Sequence, residues 1–134
     1  MNEKPIMLVE DNPDDEFLAL LTLRKNGMEN VVVARDGVDA INLLTDTEKN
    51  GGLLPLFILL DLKLPKISGI DVLRAIRAKE RTRDVPVIVL SSSKEDCDVA
   101  TCCALGVKYY LTKPLKTQEL NIIMEELHLY PGSE

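Results

Sequence analysis

Apolar residues in this chain fall into two patterns. Short unbroken runs occupy 5–9 (PIMLV), 31–34 (VVVA), 55–60 (PLFILL) and 85–90 (VPVIVL), and a fifth, interrupted only by Lys108, occupies 107–111 (VKYYL). Runs without polar alternation predict strands covered on both faces. Between them, apolar positions recur every third or fourth residue, the spacing of helix faces. The first helical stretch is NPDDEFLALLTLRKNG, where Phe17, Leu20, Leu21 and, just past it, Met28 recur at helical spacing. Asn12 can cap it, Pro13 suits its first position, Asp14 and Asp15 oppose the helix dipole, and Gly27 suits its stop. A second helix is expected from Asp36 to about Lys49, with Val38, Ile41 and Leu44 on one face and Asn50-Gly51-Gly52 breaking it. Ile70, Leu73 and Ile76 mark a third helix, 95–105 carries a weaker helical pattern, and Leu120, Ile123, Met124 and Leu127 mark the last. Strands alternating with helices predict an α/β fold, a parallel sheet with helices on both faces.

Composition narrows the picture. The chain of 134 residues is expected to form one domain, 1–134, with no repeat, linker or effector segment. A net charge of −6 and a pI near 4.9 oppose direct binding to a nucleic-acid backbone. No apolar run approaches the ~18 residues of a membrane span. The N-terminus opens on a strand pattern and lacks a signal-peptide core, so a cytoplasmic location is expected. Cys97, Cys102 and Cys103 are odd in number and closely spaced, which argues against a disulfide framework. The single histidine, His128, is too remote to complete a metal site with them. The cysteines read as reduced helix residues, and His128 as a surface residue ending the last helix.

Ligands of an open parallel sheet bind at the carboxyl ends of its strands, so the residues that follow each run matter most. The first run ends in Glu10-Asp11, the third in Asp61, the fourth in Ser91-Ser92-Ser93 and the fifth in Thr112-Lys113-Pro114. The second ends in Arg35-Asp36-Gly37, ordinary turn chemistry. Each feature alone has an ordinary structural reading. An acidic pair can be a solvated turn, an aspartate after a strand a helix cap, a serine run a loop, and Lys-Pro a turn. Together they bring three carboxylates, a hydroxyl and an ammonium to one edge. Clustered carboxylates repel one another unless one protonates or a cation enters. A hard divalent ion such as Mg²⁺ suits oxygen ligands of this type. An aspartate can also act as nucleophile and form an aspartyl phosphate, and Mg²⁺, Lys113 and the Ser91 hydroxyl could neutralise the transferred group.

LVEDN at 8–12, LLDLKLPKISG at 59–69, PVIVLSSS at 86–93 and YYLTKP at 109–114, in this order and spacing, closely resemble the receiver domain of two-component response regulators. The resemblance spans nearly the whole chain. It implies a flavodoxin-like, CheY-like fold with a five-stranded parallel sheet of order 2-1-3-4-5. It assigns Asp61 as the phosphorylated residue, Asp11 as the principal acid for Mg²⁺ (or Mn²⁺), Glu10 as acting mostly through water, and the Lys63 backbone carbonyl as a further ligand. Ser91 matches the hydroxyl residue that meets the phosphoryl group and Lys113 the lysine that pairs with it, with a cis bond to Pro114. Tyr110 matches an aromatic switch residue; an aromatic packed between the last strand and a helix is the equal alternative. The Lys63 side chain and Ser93 occupy positions that tune phosphate lifetime in the family. The EDNPDD and LPK patterns further resemble stand-alone receivers serving phytochrome-type kinases.

The resemblance therefore implies a phosphoacceptor switch rather than an enzyme. Its donor would be a sensor histidine kinase or phosphotransfer protein. Its output would be a protein contact on the fourth helix, fifth strand and fifth helix, a face that also offers a route to a homodimer. Three rivals remain. An aspartate-nucleophile phosphatase would want a second acid where Lys63 stands. A flavin or nucleotide binder would want a glycine-rich phosphate loop, which is absent. A degenerate receiver used only for docking would lack part of the acid–Asp–Ser–Lys set.

Overall fold

The computed structural model describes residues 4–45, 54–92 and 96–129. Strands and helices alternate: β1 (Ile6–Val9), α1 (Pro13–Lys25), β2 (Val31–Ala34), α2 (Gly37–Thr45), β3 (Ile58–Leu60), α3 (Gly69–Ala78), β4 (Val87–Ser91), α4 (Asp96–Ala104), β5 (Tyr109–Thr112) and α5 (Thr117–Leu127). The strands form one parallel sheet in the order β2-β1-β3-β4-β5. The alternating patterns predict the parallel sheet, and its strand order is the flavodoxin-like one that the family resemblance implies. The expected end of the second helix, the Asn50-Gly51-Gly52 break, Ser93 and the Cys97 side chain lie outside the described residues.

Successive strand residues point to opposite layers, as the pleat requires. Met7, Val9, Ile58, Leu60, Val87 and Val89 face a core shared with α2, α3 and α4. Ile6, Leu8, Phe57, Leu59, Ile88 and Leu90 face a core shared with α1 and α5. Each central strand is therefore apolar, up to Ser91 at the end of β4, because both of its faces are covered. Apart from β2, the strands start later than the apolar runs do. Pro86 has no N–H for the ladder, and β4 begins just beyond it. The Val107 N–H is bonded to the Cys102 carbonyl at the end of α4, so β5 begins only at Tyr109.

The faces of α3 and α5 match expectation: Leu73 and Ile76, and Leu120, Ile123 and Met124, are buried. The face of α1 matches only in part, with Leu20 packed against the core. Its buried residues are Ala19 and Leu23, whereas Phe17 and Leu21 stand 61% and 39% exposed, and Leu18 beside them 44%. In α2 the buried line likewise runs through Gly37, Ala40 and Leu44, with Ile41 only half-buried at its flank. Small residues point at the sheet where helix and sheet approach closely. Met28, just past α1, is buried as expected, and Gly27 ends that helix with φ +81°. Cys102 is buried, Cys103 exposed, and both are free thiols; His128 is exposed at the end of α5.

Two glycines set how closely the site's loops pack. A Cβ on Gly69 would lie 2.4 Å from the Leu62 Cα and 2.5 Å from the Asp61 carbonyl oxygen. The start of α3 thus presses against the backbone just after β3, and the Gly69 N–H donates to the Leu62 carbonyl at 2.9 Å. A Cβ on Gly37 would meet Ile67 in the same β3–α3 loop at 2.7 Å.

Candidate phosphoacceptor and metal site

The carboxyl ends of β1, β3, β4 and β5 meet at one rim. β1 runs into Glu10, which is 2% exposed. The chain then turns at Asn12, whose side-chain oxygen accepts the N–H groups of Asp14 and Asp15 at 2.9 and 3.1 Å and so starts α1. The Asn12 N–H donates to Glu10 Oε2 at 3.2 Å. The sheet ladder carries on past β3, since the Asp61 N–H donates to the Val9 carbonyl at 3.1 Å. That bond seats Asp61 beside Glu10 and leaves it only 6% exposed. Asp61 Oδ1 accepts the Lys63 N–H at 3.0 Å. From β5, the Lys113 N–H donates to the Ser91 carbonyl at 2.7 Å, and the Lys113–Pro114 bond is cis.

The Lys113 ammonium lies 2.9 Å from Glu10 Oε1, 2.9 Å from Asp61 Oδ2 and 2.9 Å from Asp15 Oδ2. It has three N–H donors and three acidic partners. Burial alone would lower its pKa, but the bonds to Asp15, Glu10 and Asp61 outweigh burial and hold it above its ordinary value. Glu10 moves the other way from a typical paired acid. Burial pushes it up to about 7, the Lys113 bond opposes that, and the nearby Asp61 charge adds to it. The shift is chiefly one of desolvation, with a smaller push from the Asp61 charge, and it makes a buried carboxylate here costly without a further cation.

Carboxylate oxygens of Glu10, Asp11 and Asp61 all lie within 4.8 Å of one another, with Asp11 exposed on the solvent side. Hard oxygen donors, excess negative charge and an open side fit a hydrated divalent cation such as Mg²⁺. One lysine cannot neutralise these acids together with Asp15.

The sequence-derived residues fall in this way. Glu10, Asp11, Asp61 and Lys113 converge. Ser91 ends β4 on the same rim, buried at 3% exposure. The Lys63 N–H reaches Asp61, while the residue as a whole is exposed. Tyr110 is half-buried and packs on the α2–α3–α4 side; its neighbour Tyr109 faces the α1–α5 side and donates its hydroxyl to Glu126. Asp15 was missed as a site residue. Its place in the first turn of α1 fully explains an acid there in dipole terms, and only the fold reveals the Lys113 contact across 98 positions.

Residues 6–125 match the response regulator receiver domain family. Among curated relatives, the chain is 38% identical to the probable methanogenesis regulatory protein FilR2 of Methanothrix harundinacea, over 93% of this chain and 81% of that protein. It is 35% identical to the response regulator Rcp1 of Synechocystis sp., over 87% of this chain and 81% of that one. Among solved structures, the bacteriophytochrome response regulator AtBRR is 36% identical, with a TM-score of 0.85 over 100% of this chain and 99% of that chain. The phosphorylated cyanobacterial phytochrome response regulator RcpA is 35% identical, with a TM-score of 0.77 over 95% and 92%. The Mn²⁺-bound form of Rcp1 is 32% identical, with a TM-score of 0.77 over 97% of both chains. Family match, fold and rim geometry agree: the chain belongs to the response regulator receiver domain family, CheY-like proteins of two-component systems.

Proposed function

We propose that this protein is a phosphorylation switch in which Asp61 accepts a phosphoryl group from the phosphohistidine of a sensor kinase or phosphotransfer protein, with Mg²⁺ bound at Asp11, Asp61, the Lys63 carbonyl and, through water, Glu10. The observation that carries the reading is the Asp61 carboxylate, buried at the strand end between the Lys113 ammonium and two further acids. A carboxylate oxygen of Asp61 attacks phosphorus, the P–N bond breaks, and the imidazole leaves with its electron pair. Bound Mg²⁺ would supply charge neutralisation on the phosphoryl oxygens. Lys113 pairs with the group and the Ser91 hydroxyl donates to it. The neighbours RcpA, phosphorylated, and Rcp1, with Mn²⁺ bound, support both halves of the reading.

The product carries about −1.5 to −2 charge at neutral pH if it resembles other protein phosphates. Drawing Ser91 and Lys113 toward that charge biases a two-state rim, with Tyr110 as the switch aromatic. The output is a protein contact on the α4–β5–α5 face, and a phytochrome-type kinase is the donor that the similarity to AtBRR and RcpA favours. We place the protein in the cytoplasm; among the described residues no helix is long and apolar enough to cross a membrane. The test is intact mass after incubation with a small phosphodonor and Mg²⁺. The wild type gains one phosphoryl group, and Asp61→Asn or a chelator abolishes the gain. A gain that survives Asp61→Asn would overturn the assignment.

A further inference from the structure

Lys113 has one more anionic partner than the switch requires. Glu10 and Asp61 belong to the three-acid group that fits a cation, and Asp15 does not. Asp15 reaches the rim through Lys113, at 2.9 Å. It is the outer partner, with its side chain 34% exposed against 2% for Glu10 and 7% for Asp61. It is also firmly mounted. Its own N–H is held by the Asn12 cap, and the Thr22 hydroxyl, two turns along α1, donates to the Leu115 carbonyl at 3.2 Å. α1 is thus fastened to the Lys113-Pro114-Leu115 loop at two points.

Asp15 Oδ2 and Asp61 Oδ2 share one ammonium, so they are separated by at most twice the 2.9 Å contact distance. A phosphoryl group built on Asp61 would face Asp15 across the same Lys113 donor. Asp15 would repel that group and contend with it for the ammonium. A divalent cation would feel the opposite effect. A further negative charge nearby favours it.

We propose that Asp15 is a positioning residue that competes with the phosphoryl group for Lys113, weakening the lysine–phosphoryl contact while strengthening cation binding at the acidic rim. This deepens the switch reading and rests on it. A purely structural anchor would not move the two affinities in opposite directions.

The experiment is calorimetric titration of the full chain with Mg²⁺ alone, then with beryllofluoride at saturating Mg²⁺, for wild type, Asp15→Asn and Asp15→Glu. Asp15→Asn is expected to bind beryllofluoride about fivefold to tenfold more tightly, and Mg²⁺ several-fold more weakly, the scale of one unit charge across a partly exposed site. Asp15→Glu keeps the charge and is expected to return both values toward wild type. Circular dichroism establishes that each variant is folded, and Asp15→Ser replaces Asp15→Asn if the latter is not. Equal or weaker beryllofluoride binding by the folded neutral variant overturns the role of Asp15 and leaves the switch intact. If wild type binds no beryllofluoride with Mg²⁺, the switch reading and this inference both fall.

Discussion

A carboxylate at the end of an apolar strand is costly unless something compensates it, and at Asp61 the compensation is specific. Lys113 takes one oxygen and the Lys63 N–H the other. Gly69 makes the placement possible by letting α3 press on the Asp61–Leu62 backbone. Gly69→Ala would put a methyl group 2.4 Å from a backbone atom with no flexible side chain to yield. We expect it to destabilise the fold by about 2–3 kcal/mol in urea unfolding and to slow phosphorylation of Asp61. Glu10 gives a pH signature. In the metal-free fold it keeps its proton up to about pH 7, against an ordinary value of 4.5. The folded state then binds more protons than the unfolded chain across that window. The contribution of Glu10 to stability is therefore fully present below pH 4.5 and is lost as pH rises through about 7. Unfolding measured in chelator across the window should show this decline, and Glu10→Gln should lose Glu10's part of it. Glu10, Asp11, Asp61 and Lys113 were legible as a set because each lies within two residues of the end of an apolar run. Asp15 was not legible, because its partner lies 98 positions away and it has a sufficient local reason to be acidic.

Element by element, the sequence told more about strands than about helix faces. Central strands buried on both sides must be apolar throughout, and that pattern admits few alternatives. Helix faces were read by giving weight to large residues, which misplaced α1. Phe17 and Leu21 look like a core pair at helical spacing, yet Ala19 and Leu23 meet the sheet. An alanine facing the sheet permits a closer approach than a phenylalanine would, and hydrophobicity alone does not say which of two apolar stripes turns inward. The correction is testable by urea unfolding. Leu23→Ala should cost about 2–4 kcal/mol, as for a fully buried leucine, whereas Phe17→Ser should stay within about 0.5 kcal/mol. A large loss at Phe17 would return it to the core. Strand starts were misjudged for a different reason. Hydropathy does not register that a proline lacks the ladder N–H, as at Pro86, or that the N–H of Val107 is already engaged by α4.

Across the whole molecule, the parallel sheet turns sequence distance into proximity. Segments beginning at residues 10, 61, 91 and 113 arrive at one rim because every strand points the same way. The opposite end of the sheet carries no comparable acid group among the described residues. The molecule's asymmetry is thus a property of topology, and the acids, the hydroxyl and the lysine are what that topology is given to work with. The central claim is that this rim directs a phosphoryl group to one oxygen-bearing side chain. The most direct measurement is to treat the protein with a small phosphodonor and Mg²⁺, reduce the acyl phosphate with borohydride, and map the modified residue by peptide mass spectrometry. Conversion to homoserine at position 61, dependent on Mg²⁺, is the predicted result. Modification at another acid, or none at position 61 in protein that is folded and loaded with metal, would contradict the account.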